Sequence, residues 1–495
     1  MLFHRNLLLL YGFSGILLGI GFVLPVLWMF GLLGVALFVY CLNRTEKFRV
    51  AIWGGFLAWT IKSMFAISWF LSTYPISWIE LSLGKAELLV VIFYWLTVSV
   101  FLGLGGLVVA LLCWSLKKYL FLEYGFLLFP FVWVVGEIFS SLSFSIWTFG
   151  EGGTINTVFS FGYLGYLLGN NELLLRLSVW GGVYILSFLG SLLGYFIWFL
   201  DVNCTRLKTI AVIGIFLSII VISSLGFSQA ENNTELAKTK VAIVDTQFTA
   251  TDFIDPAKQS YIREQLSRAI ESALSLDTAY IVLPEDIRFT DSQTPPETAY
   301  RLFRFQSSDS DSVLIDSGRF ALSSDKATLR AVIYDGVGKK SWTVDKKYLV
   351  PQGEFMPYFN IASLNVIGAG TAAGEISKKL GYVPGPLVDQ SSLANNIPAI
   401  LFCFESADPL GVKRLVSERE VPFVAHPISH AWFHESKILW QQQDLMLKIQ
   451  ALWSGVNIVS AGNMAHGALY TSKGKKIKPT PVVAGESWQI SLVSW

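Results

Sequence analysis

The stretch IPAILFCFES, residues 397–406, indicates the architecture of the carboxyl-terminal half of the chain. Its apolar run predicts a buried β-strand, and Cys403 stands near the end of that run. Similar runs occur on both sides of it: KVAIVDTQF from residue 240, AYIVLPE from 279, SVLIDSGRF from 312, TLRAVIYDG from 328, VPFVAHPIS from 421 and VNIVSAG from 456. Helical patterns lie between them, at residues 256–275 and from residue 440. Strands that alternate with helices over about 250 residues predict one α/β domain.

The amino-terminal half has a different composition. The whole chain is 53% hydrophobic and 15% charged, whereas soluble globular domains carry about 25% charged residues. The deficit comes from long apolar runs before residue 228. Because a membrane helix needs about 20 mostly apolar residues, these runs predict seven membrane spans. The spans are expected at roughly 7–24, 26–42, 50–71, 88–114, 120–139, 177–200 and 209–227.

Basic residues give the expected orientation of the spans. They gather at alternate span ends, at Arg5, residues 44–49, residues 117–118 and residues 206–208. Basic loops face the cytoplasm, so an odd number of spans places everything after Phe227 outside it. A loop rich in glycine and aromatic residues, 140–176, is expected on that same side. The expected organisation is a seven-span domain at 1–227, a polar linker at 228–239 and an extracytoplasmic catalytic domain at 240–495.

Charge and cysteine content exclude some classes of function. A net charge of +1 lacks the basic footprint of a nucleic-acid-binding protein. Of the four cysteines, only Cys403 lies in the polar half, so no disulfide can form within that domain. A lone thiol in an oxidising compartment is either buried and inert or reserved for chemistry.

Three polar residues follow apolar runs and have complementary chemistry: Glu285, Lys346 and Cys403. Catalytic groups in α/β folds collect where strands end. A thiol nucleophile needs a base to take its proton and a cation to stabilise the oxyanion, and these residue types supply all three roles. Residue types alone leave the alternative open, because a buried strand cysteine is usually a small apolar side chain.

Two further groups of residues leave alternatives open. Lys62 and Glu137 lie inside apolar runs, where charges are costly, and are either functional or paired between helices. His426, His430 and His434 recur every four residues, which suggests a metal site, but Pro427 interrupts any helix there. Ordinary loop or pocket histidines are the favoured interpretation.

The motifs in both halves of the chain resemble one family. In the polar half they are Pro284-Glu285 at a strand end, KKYLVPQGEFMP at 346–357 and Cys-Phe-Glu at 403–405. In the apolar half they are ISWF at 67–70, Pro130-x-x-Trp133-x-x-x-Glu137, FGY at 161–163 and SFL at 187–189. Together they resemble the apolipoprotein N-acyltransferases, the membrane-embedded branch of the nitrilase (carbon–nitrogen hydrolase) superfamily. The resemblance covers nearly the whole chain.

This resemblance implies a fold and a set of site residues. The fold is a polytopic α-helical membrane domain followed by an α/β nitrilase-like αββα sandwich domain. Glu285 corresponds to the general base, Lys346 to the oxyanion-stabilising lysine and Cys403 to the nucleophile. Lys346 is chosen over Lys347 because the family's lysine lies eight residues before the glutamate that is here Glu354. Glu354 and Glu405 correspond to supporting acidic positions.

The resemblance also implies an activity. A fatty acyl group would pass from a membrane phospholipid, through a cysteine thioester, to the N-terminal amine of diacylglyceryl-cysteine in an apolipoprotein. The expected partners are a phospholipid acyl donor, a diacylated apolipoprotein acceptor and the lipid bilayer, without nucleic acid. The expected location is the bacterial inner membrane, with the catalytic domain on the periplasmic side. No metal or organic cofactor is implied.

Several positions depart from the family pattern. Phe404 replaces the usual tyrosine, Ser429-His430 replaces Asn-Asp, and arginines usual in the following helix-to-strand region are missing. The family's eighth membrane helix has no counterpart before Trp495, so one span is expected to tether the domain. These departures keep two alternatives open: a membrane-tethered nitrilase-type amidase or hydrolase, and a catalytically idle homologue that binds lipid or lipoprotein.

Overall fold

The structure, a computed structural model, describes most of both halves of the chain. The described residues are 2–76, 86–120, 125–202, 239–289, 312–335, 340–366, 368, 370–385 and 390–495. The seventh predicted span and almost all of the predicted linker lie outside these residues.

The amino-terminal half is a bundle of apolar helices. Its helices are α1 (Leu2–Val23), α2 (Phe30–Arg44), α3 (Phe48–Ala66), α4 (Ala86–Ser115), α5 (Lys117–Leu120), α6 (Gly125–Trp147), α7 (Leu164–Leu168), α8 (Glu172–Leu175) and α9 (Gly182–Val202). The first six predicted spans therefore each fall on a helix. Two predicted bounds were wrong: α3 ends at Ala66 and gives way to a 3₁₀ segment at Ser68–Thr73, and α6 continues to Trp147.

Four helices in the described part of the chain are long and apolar enough to cross a membrane. The qualifying segments are Asn6–Val23, Glu87–Ser115, Leu127–Trp147 and Gly182–Leu200. Phe30–Arg44 is apolar but shorter. With these helices preceding an α/β domain, the predicted fold class is confirmed.

The two charges predicted inside the bundle are both buried. The Nζ atom of Lys62 lies 3.7 Å from the centre of the Trp59 ring. A carboxylate oxygen of Glu137 accepts hydrogen bonds from the Trp133 indole at 3.0 Å and from the Leu164 backbone N–H at 2.6 Å. Glu137 therefore joins α6 to the start of α7, a structural role that the pairing alternative anticipated.

The carboxyl-terminal half contains twelve strands among the described residues. They are β1 (Lys240–Thr246), β2 (Tyr280–Val282), β3 (Val313–Ala321), β4 (Ala327–Asp335), β5 (Lys340–Asp345), β6 (Ala399–Ile400), β7 (Val424–Ser429), β8 (Ile458–Asn463), β9 (Ala468–Tyr470), β10 (Lys476–Ile477), β11 (Pro481–Ala484) and β12 (Trp488–Ser494). One set has the order β11-β12-β1-β2-β3-β4-β5 and the other β6-β7-β8-β9-β10. The two sets join through a single residue pair, Thr246 with Asn463.

The alternation of side chains along the strands separates the two sets into facing sheets. On β1, Val241 and Ile243 share a core with Ala425 and Val459 of the other set. The intervening Ala242 and Val244 lie in a different core, with apolar residues of the helix Gln259–Leu274. Successive strand residues point to opposite faces, so β1 buries one face against the second sheet and the other against a helix.

Helices cover both outer faces of the sheet pair. They are α10 (Gln259–Leu274) on one face, and α13 (Gly411–Glu418) and α14 (Lys437–Ser454) on the other. Two further helices, α11 (Tyr358–Val366) and α12 (Gly370–Leu380), lie between β5 and β6 in the chain. Apolar residues of α10 recur at helical spacing and pack on the first sheet. Val412 of α13 and Leu447 of α14 pack on Leu401 and Val424 of the second sheet. The layers run helix, sheet, sheet, helix, which is the predicted αββα sandwich.

The bundle and the sandwich share one hydrophobic core. Met446 and Ile449 of α14 lie in the same cluster as the bundle helices. Polar contacts reinforce the junction: the Gln442 amide donates to the carbonyl oxygen of Ala66 at 2.7 Å, and the Ser160 hydroxyl donates to that of Ala407 at 2.6 Å. The amino-terminal half of the chain therefore contacts the segment that begins at Cys403.

Candidate active site

The three candidate residues follow the carboxyl ends of three strands. Glu285 lies beyond β2, Lys346 directly follows β5, and Cys403 lies beyond β6. The strand predicted to carry Cys403 is shorter than expected, because β6 ends at Ile400 and Cys403 begins a 3₁₀ turn that ends at Ala407. The two sheets present these strand ends on the same side, which brings the three residues together.

Lys346 forms ion pairs with two carboxylates. Its Nζ atom is 3.1 Å from an oxygen of Glu285 and 2.7 Å from an oxygen of Glu354. The lysine side chain has 0% exposure, and both glutamates are nearly as buried. The neighbouring Lys347 points elsewhere, with its Nζ atom 4.8 Å from the centre of the Tyr348 ring. The geometry therefore favours Lys346, the lysine chosen from the sequence.

Cys403 is linked to the same cluster through its backbone. Its N–H donates to a Glu285 oxygen at 3.2 Å. The sulfur lies 3.9 Å from the carbonyl oxygen of Ser429 and 3.9 Å from the amide nitrogen of Gln443. The thiol therefore stands between the Glu285–Lys346 pair and helix α14.

Burial sets the protonation of these groups. It raises the pKa of Glu285 to about 7, outweighing the Lys346 ammonium, which favours the carboxylate. Burial also raises the pKa of Cys403 to about 12, and the nearby Glu285 carboxylate adds to that effect. Burial lowers the pKa of Lys346, but Glu285 and Glu354 overcome it and raise that pKa above its ordinary value. The resting site therefore holds a thiol, an ammonium and a base that titrates near neutrality.

Glu405 binds two loops together rather than facing solvent. One of its oxygens accepts from the Lys347 backbone N–H at 2.8 Å, and the other accepts from the Phe402 N–H at 3.1 Å. Because Phe402 immediately precedes Cys403, Glu405 fixes the 3₁₀ turn at Cys403–Ala407, here called the nucleophile turn, to the loop that carries Lys346. Glu354 does similar work within its own loop by accepting from the Val350 N–H at 2.7 Å.

An apolar cavity leads from the helix bundle to Cys403. Its space is about 1150 Å³, including its open mouth. Helices α4 and α6 and the segments after α3 and α6 supply one side, and the sandwich supplies the other. Ile67, Val91 and Phe159 line the cavity from the amino-terminal half, and Phe404 and Trp432 line it from the sandwich. The substitution at Phe404 places an aromatic ring without a hydroxyl in the wall of this cavity.

A second, more polar cavity reaches Cys403 from another direction. Asp286, Arg288, Arg319 and Tyr382 line it, together with Glu285. The Asp286 carboxylate pairs with the Arg288 guanidinium at 2.9 Å. Cys403 is thus accessible from an apolar side and from a polar side, an arrangement that suits a reaction between an acyl chain and a polar molecule.

The three histidines lie on β7 and the turns after it, not on one helix. His426 is buried with Nδ1 3.1 Å from the Ser460 hydroxyl, and His434 is exposed with Nε2 3.1 Å from the carbonyl oxygen of Pro75. His430 is buried and contacts Gln443. Within the described ranges, no three side chains of histidine, cysteine, aspartate or glutamate come together as metal ligands.

Two residues that contact the nucleophile turn were missed from the sequence. Gln443 contacts Cys403. The sequence feature that could have identified it is the run of three glutamines at 441–443, within an otherwise apolar stretch of helix. Asp408 is buried just after the turn, where it accepts from the Leu410 N–H at 3.0 Å and pairs with Arg414 at 2.8 Å. No pattern in the sequence identified Asp408.

Comparisons with known proteins agree with the motif resemblance. No protein-family model matches the chain. Two curated proteins named apolipoprotein N-acyltransferase, from two strains of Prochlorococcus marinus, are 23% and 24% identical to it. These alignments cover 93% and 95% of this chain and 86% and 87% of the relatives. The resemblance stated from the motifs is therefore confirmed along nearly the whole chain.

Two solved structures are similar to about half of this chain. One is an amidase of the nitrilase superfamily from Nesterenkonia, 14% identical with a TM-score of 0.35, and the match covers 52% of this chain and 90% of that one. Another is a carbon–nitrogen hydrolase from Helicobacter pylori, 11% identical with a TM-score of 0.36, covering 52% of this chain and 89% of that one.

Proposed function

We propose that this chain is an acyltransferase that moves a fatty acyl group from a membrane phospholipid to the N-terminal amine of a diacylglyceryl-cysteine lipoprotein. One observation carries the proposal. Cys403, beside a buried Glu285–Lys346 pair, stands at the end of an apolar cavity that membrane-capable helices help to build. The names of the two curated relatives support the same activity.

The first half-reaction forms a thioester. A phospholipid acyl chain lies in the apolar cavity with its ester carbonyl at Cys403. Because the pKa of the thiol is raised to about 12, proton transfer must accompany attack, and Glu285 is the base. The new S–C bond creates an oxyanion, which the Lys346 ammonium stabilises. The ester C–O bond then breaks, and Glu285 returns the proton to the departing lysophospholipid alkoxide.

The second half-reaction transfers the acyl group to the amine. The neutral α-amine of the acceptor attacks the thioester carbonyl, and Glu285 takes one of its protons. The C–S bond breaks to leave an amide, and the sulfur regains a proton from Glu285. Atoms and charges balance without an additional reactant. Glu354 and Glu405 support the reaction indirectly, since the first holds Lys346 and the second joins the two loops.

The arrangement in the membrane follows the same proposal. Residues 1–227 form a seven-span domain, 228–239 link it to the sandwich, and 240–495 lie on the periplasmic side of the bacterial inner membrane. Support comes from the membrane-capable helices and from the cavity that they share with the sandwich. A site against the bilayer gives a phospholipid direct access to the thiol.

A hydrolase is the second candidate, because the polar cavity also reaches Cys403 and offers a route for water. Complementation separates the two functions. A bacterial strain depleted of its own apolipoprotein N-acyltransferase should grow when it expresses this chain and should fail with Cys403→Ala at equal protein level. Growth failure of the unaltered chain, together with release of free fatty acid from phospholipid in vitro, would favour the hydrolase.

A further inference from the structure

The side chains of His430 and Gln443 form a buried pair next to the nucleophile. The Nε2 atom of His430 lies 2.8 Å from the Gln443 carbonyl oxygen Oε1. The amide nitrogen of Gln443 faces the other way, 3.1 Å from the Ser406 hydroxyl, 3.4 Å from the Cys403 carbonyl oxygen and 3.9 Å from the Cys403 sulfur. Both side chains are almost completely buried. His430 belongs to the dipeptide Ser429-His430, one of the places where the chain departs from the family pattern.

The hydrogen bonds around Ser406 determine which way the Gln443 amide points. The Ser406 hydroxyl donates its only proton to the Cys403 carbonyl oxygen at 2.6 Å, so it can only accept from Gln443. The Cys403 carbonyl oxygen can likewise only accept. The Gln443 group that faces these two oxygens must therefore be the NH₂, which places Oε1 against His430.

The orientation of the Gln443 amide in turn fixes the tautomer of His430. Oε1 of Gln443 accepts, so Nε2 of His430 must carry a proton and donate it. The other ring nitrogen, Nδ1, is buried without a hydrogen-bond partner among the described residues. Burial lowers the pKa of His430 to about 4, so the ring stays neutral at physiological pH. The rings of Trp440 and Phe433 lie 6.1 Å from it and restrict its rotation.

We propose that Gln443, oriented by His430, donates an amide N–H to the Cys403 sulfur and lowers the barrier to forming its thiolate. His430 is a positioning residue, because it acts only through Gln443. The amide has two protons, one for the Ser406 and Cys403 oxygens and one for the sulfur. A hydrogen bond to a thiolate is stronger than one to a thiol, so the donor favours the nucleophilic form. The inference rests on the proposed function for the identity of the nucleophile.

The rate at which iodoacetamide alkylates Cys403 tests this inference directly. Peptide-level mass spectrometry of the full chain in nanodiscs resolves Cys403 from the other cysteines. A lost charge-assisted hydrogen bond should slow alkylation about tenfold in Gln443→Met and move its pH profile upward by about one unit. Gln441→Met is the matched control, because Gln441 is exposed on the same helix, and it should react as the unaltered protein does.

Variants of His430 test the positioning role. His430→Leu removes the donor that orients Gln443 and should slow alkylation toward the Gln443→Met rate. His430→Gln keeps a neutral donor and should restore most of the rate. The double variant His430→Leu/Gln443→Met should be no slower than Gln443→Met, because the two residues act in series. A merely structural role would give additive losses of stability without a shifted pH profile.

The outcomes separate this inference from the proposed function. Unchanged alkylation in Gln443→Met would overturn the inference even if acyl transfer were intact. Conversely, the alkylation pattern can hold in a protein that transfers no acyl group, which would overturn only the proposed function. If Gln443→Met fails to fold, the two His430 variants decide. Slower alkylation of Cys403 in His430→Leu than in His430→Gln supports the inference, and equal alkylation rates overturn it.

Discussion

Lys346 is expected to be highly sensitive to substitution, and Lys347 provides its matched control. The Nζ atom of Lys346 lies 3.1 Å and 2.7 Å from two buried carboxylates, and the side chain has no exposure. Lys346→Met would leave Glu285 and Glu354 buried together without a cation. Breaking a buried ion pair from one side costs about 3–5 kcal/mol of stability. Losing one oxyanion donor lowers the rate by about 10²–10³.

Lys347→Met changes the same chemical group at an adjacent residue. The Lys347 ammonium interacts with the Tyr348 ring, a contact worth about 0.5–1 kcal/mol when exposed. Both variants would be compared by thermal unfolding in detergent and by acyl transfer to a diacylated lipopeptide. Stability loss in Lys346→Met should also depend on pH. Without the ammonium, the pKa of Glu285 rises further in the folded state, and a carboxyl with a raised folded pKa loses stability as pH rises.

The deficit of Lys346→Met should therefore be smaller at pH 5 than at pH 8. Activity of Lys346→Met within a factor of about ten of the unaltered protein, together with lost activity in Lys347→Met, would refute the role given to Lys346. That result would mean that the lysine facing the carboxylates is not the one that faces the oxyanion.

Three other predictions concern the base, the topology and the membrane contact. The acyl transfer rate should rise with pH around pH 7, where Glu285 titrates. Glu354→Gln should move this rise to lower pH, because the Glu354 carboxylate raises the pKa of Glu285. An unmoved pH profile would exclude Glu285 as the titrating group. A reporter enzyme fused after Trp495 should be active outside the cytoplasm and one fused after Lys118 inside it, and the reverse at either site would overturn the seven-span topology. Val366 is 87% exposed at the end of α11 and should contact lipid. An environment-sensitive dye attached at this position should therefore be quenched by brominated lipid. Quenching by aqueous iodide alone would place α11 in water.

The sequence predicted much of the sandwich because its strands are continuous apolar runs. Runs such as KVAIVDTQF and VPFVAHPIS fall on β1 and β7. The terminal strand β12 was not predicted, because its partner, β1, lies more than 200 residues earlier and the pairing is not local. A short strand that mixes polar and apolar residues cannot be recognised from the sequence until its pairing partner is known.

Two element ends were wrong for identifiable physical reasons. The fifth span was expected to stop at residue 139, and the serine-containing stretch SSLSFS follows at 140–145. Instead, the hydroxyls of Ser143 and Ser145 donate to carbonyl oxygens of Phe139 and Leu142 one turn back, so the helix accommodates them. The strand before Cys403 was expected to reach it, but the Phe402 N–H donates to the Glu405 side chain and closes a turn.

The candidate site was predictable only where residues belonged to motifs. Glu285, Lys346, Glu354, Cys403 and Glu405 were all chosen from motif positions, and the structure brings the five together. The His430–Gln443 pair could not be chosen in this way, because it depends on the distance between a strand end and a helix. Buried hydrogen-bond pairs of this kind become visible only when the packing is known.

The central claim is that Cys403 carries the acyl group, and the mass of the protein tests it most directly. Purified protein mixed with phospholipid alone should gain the mass of one acyl group on Cys403. The adduct should be labile to hydroxylamine and absent in Cys403→Ala. A diacylated lipopeptide with a free α-amine should then discharge it as an amide. A thioester that a transferase keeps from water must persist until the amine arrives, and the apolar cavity at Cys403 suits that requirement. Steady release of free fatty acid at the same rate with and without the amine would contradict the account, as would the absence of any adduct.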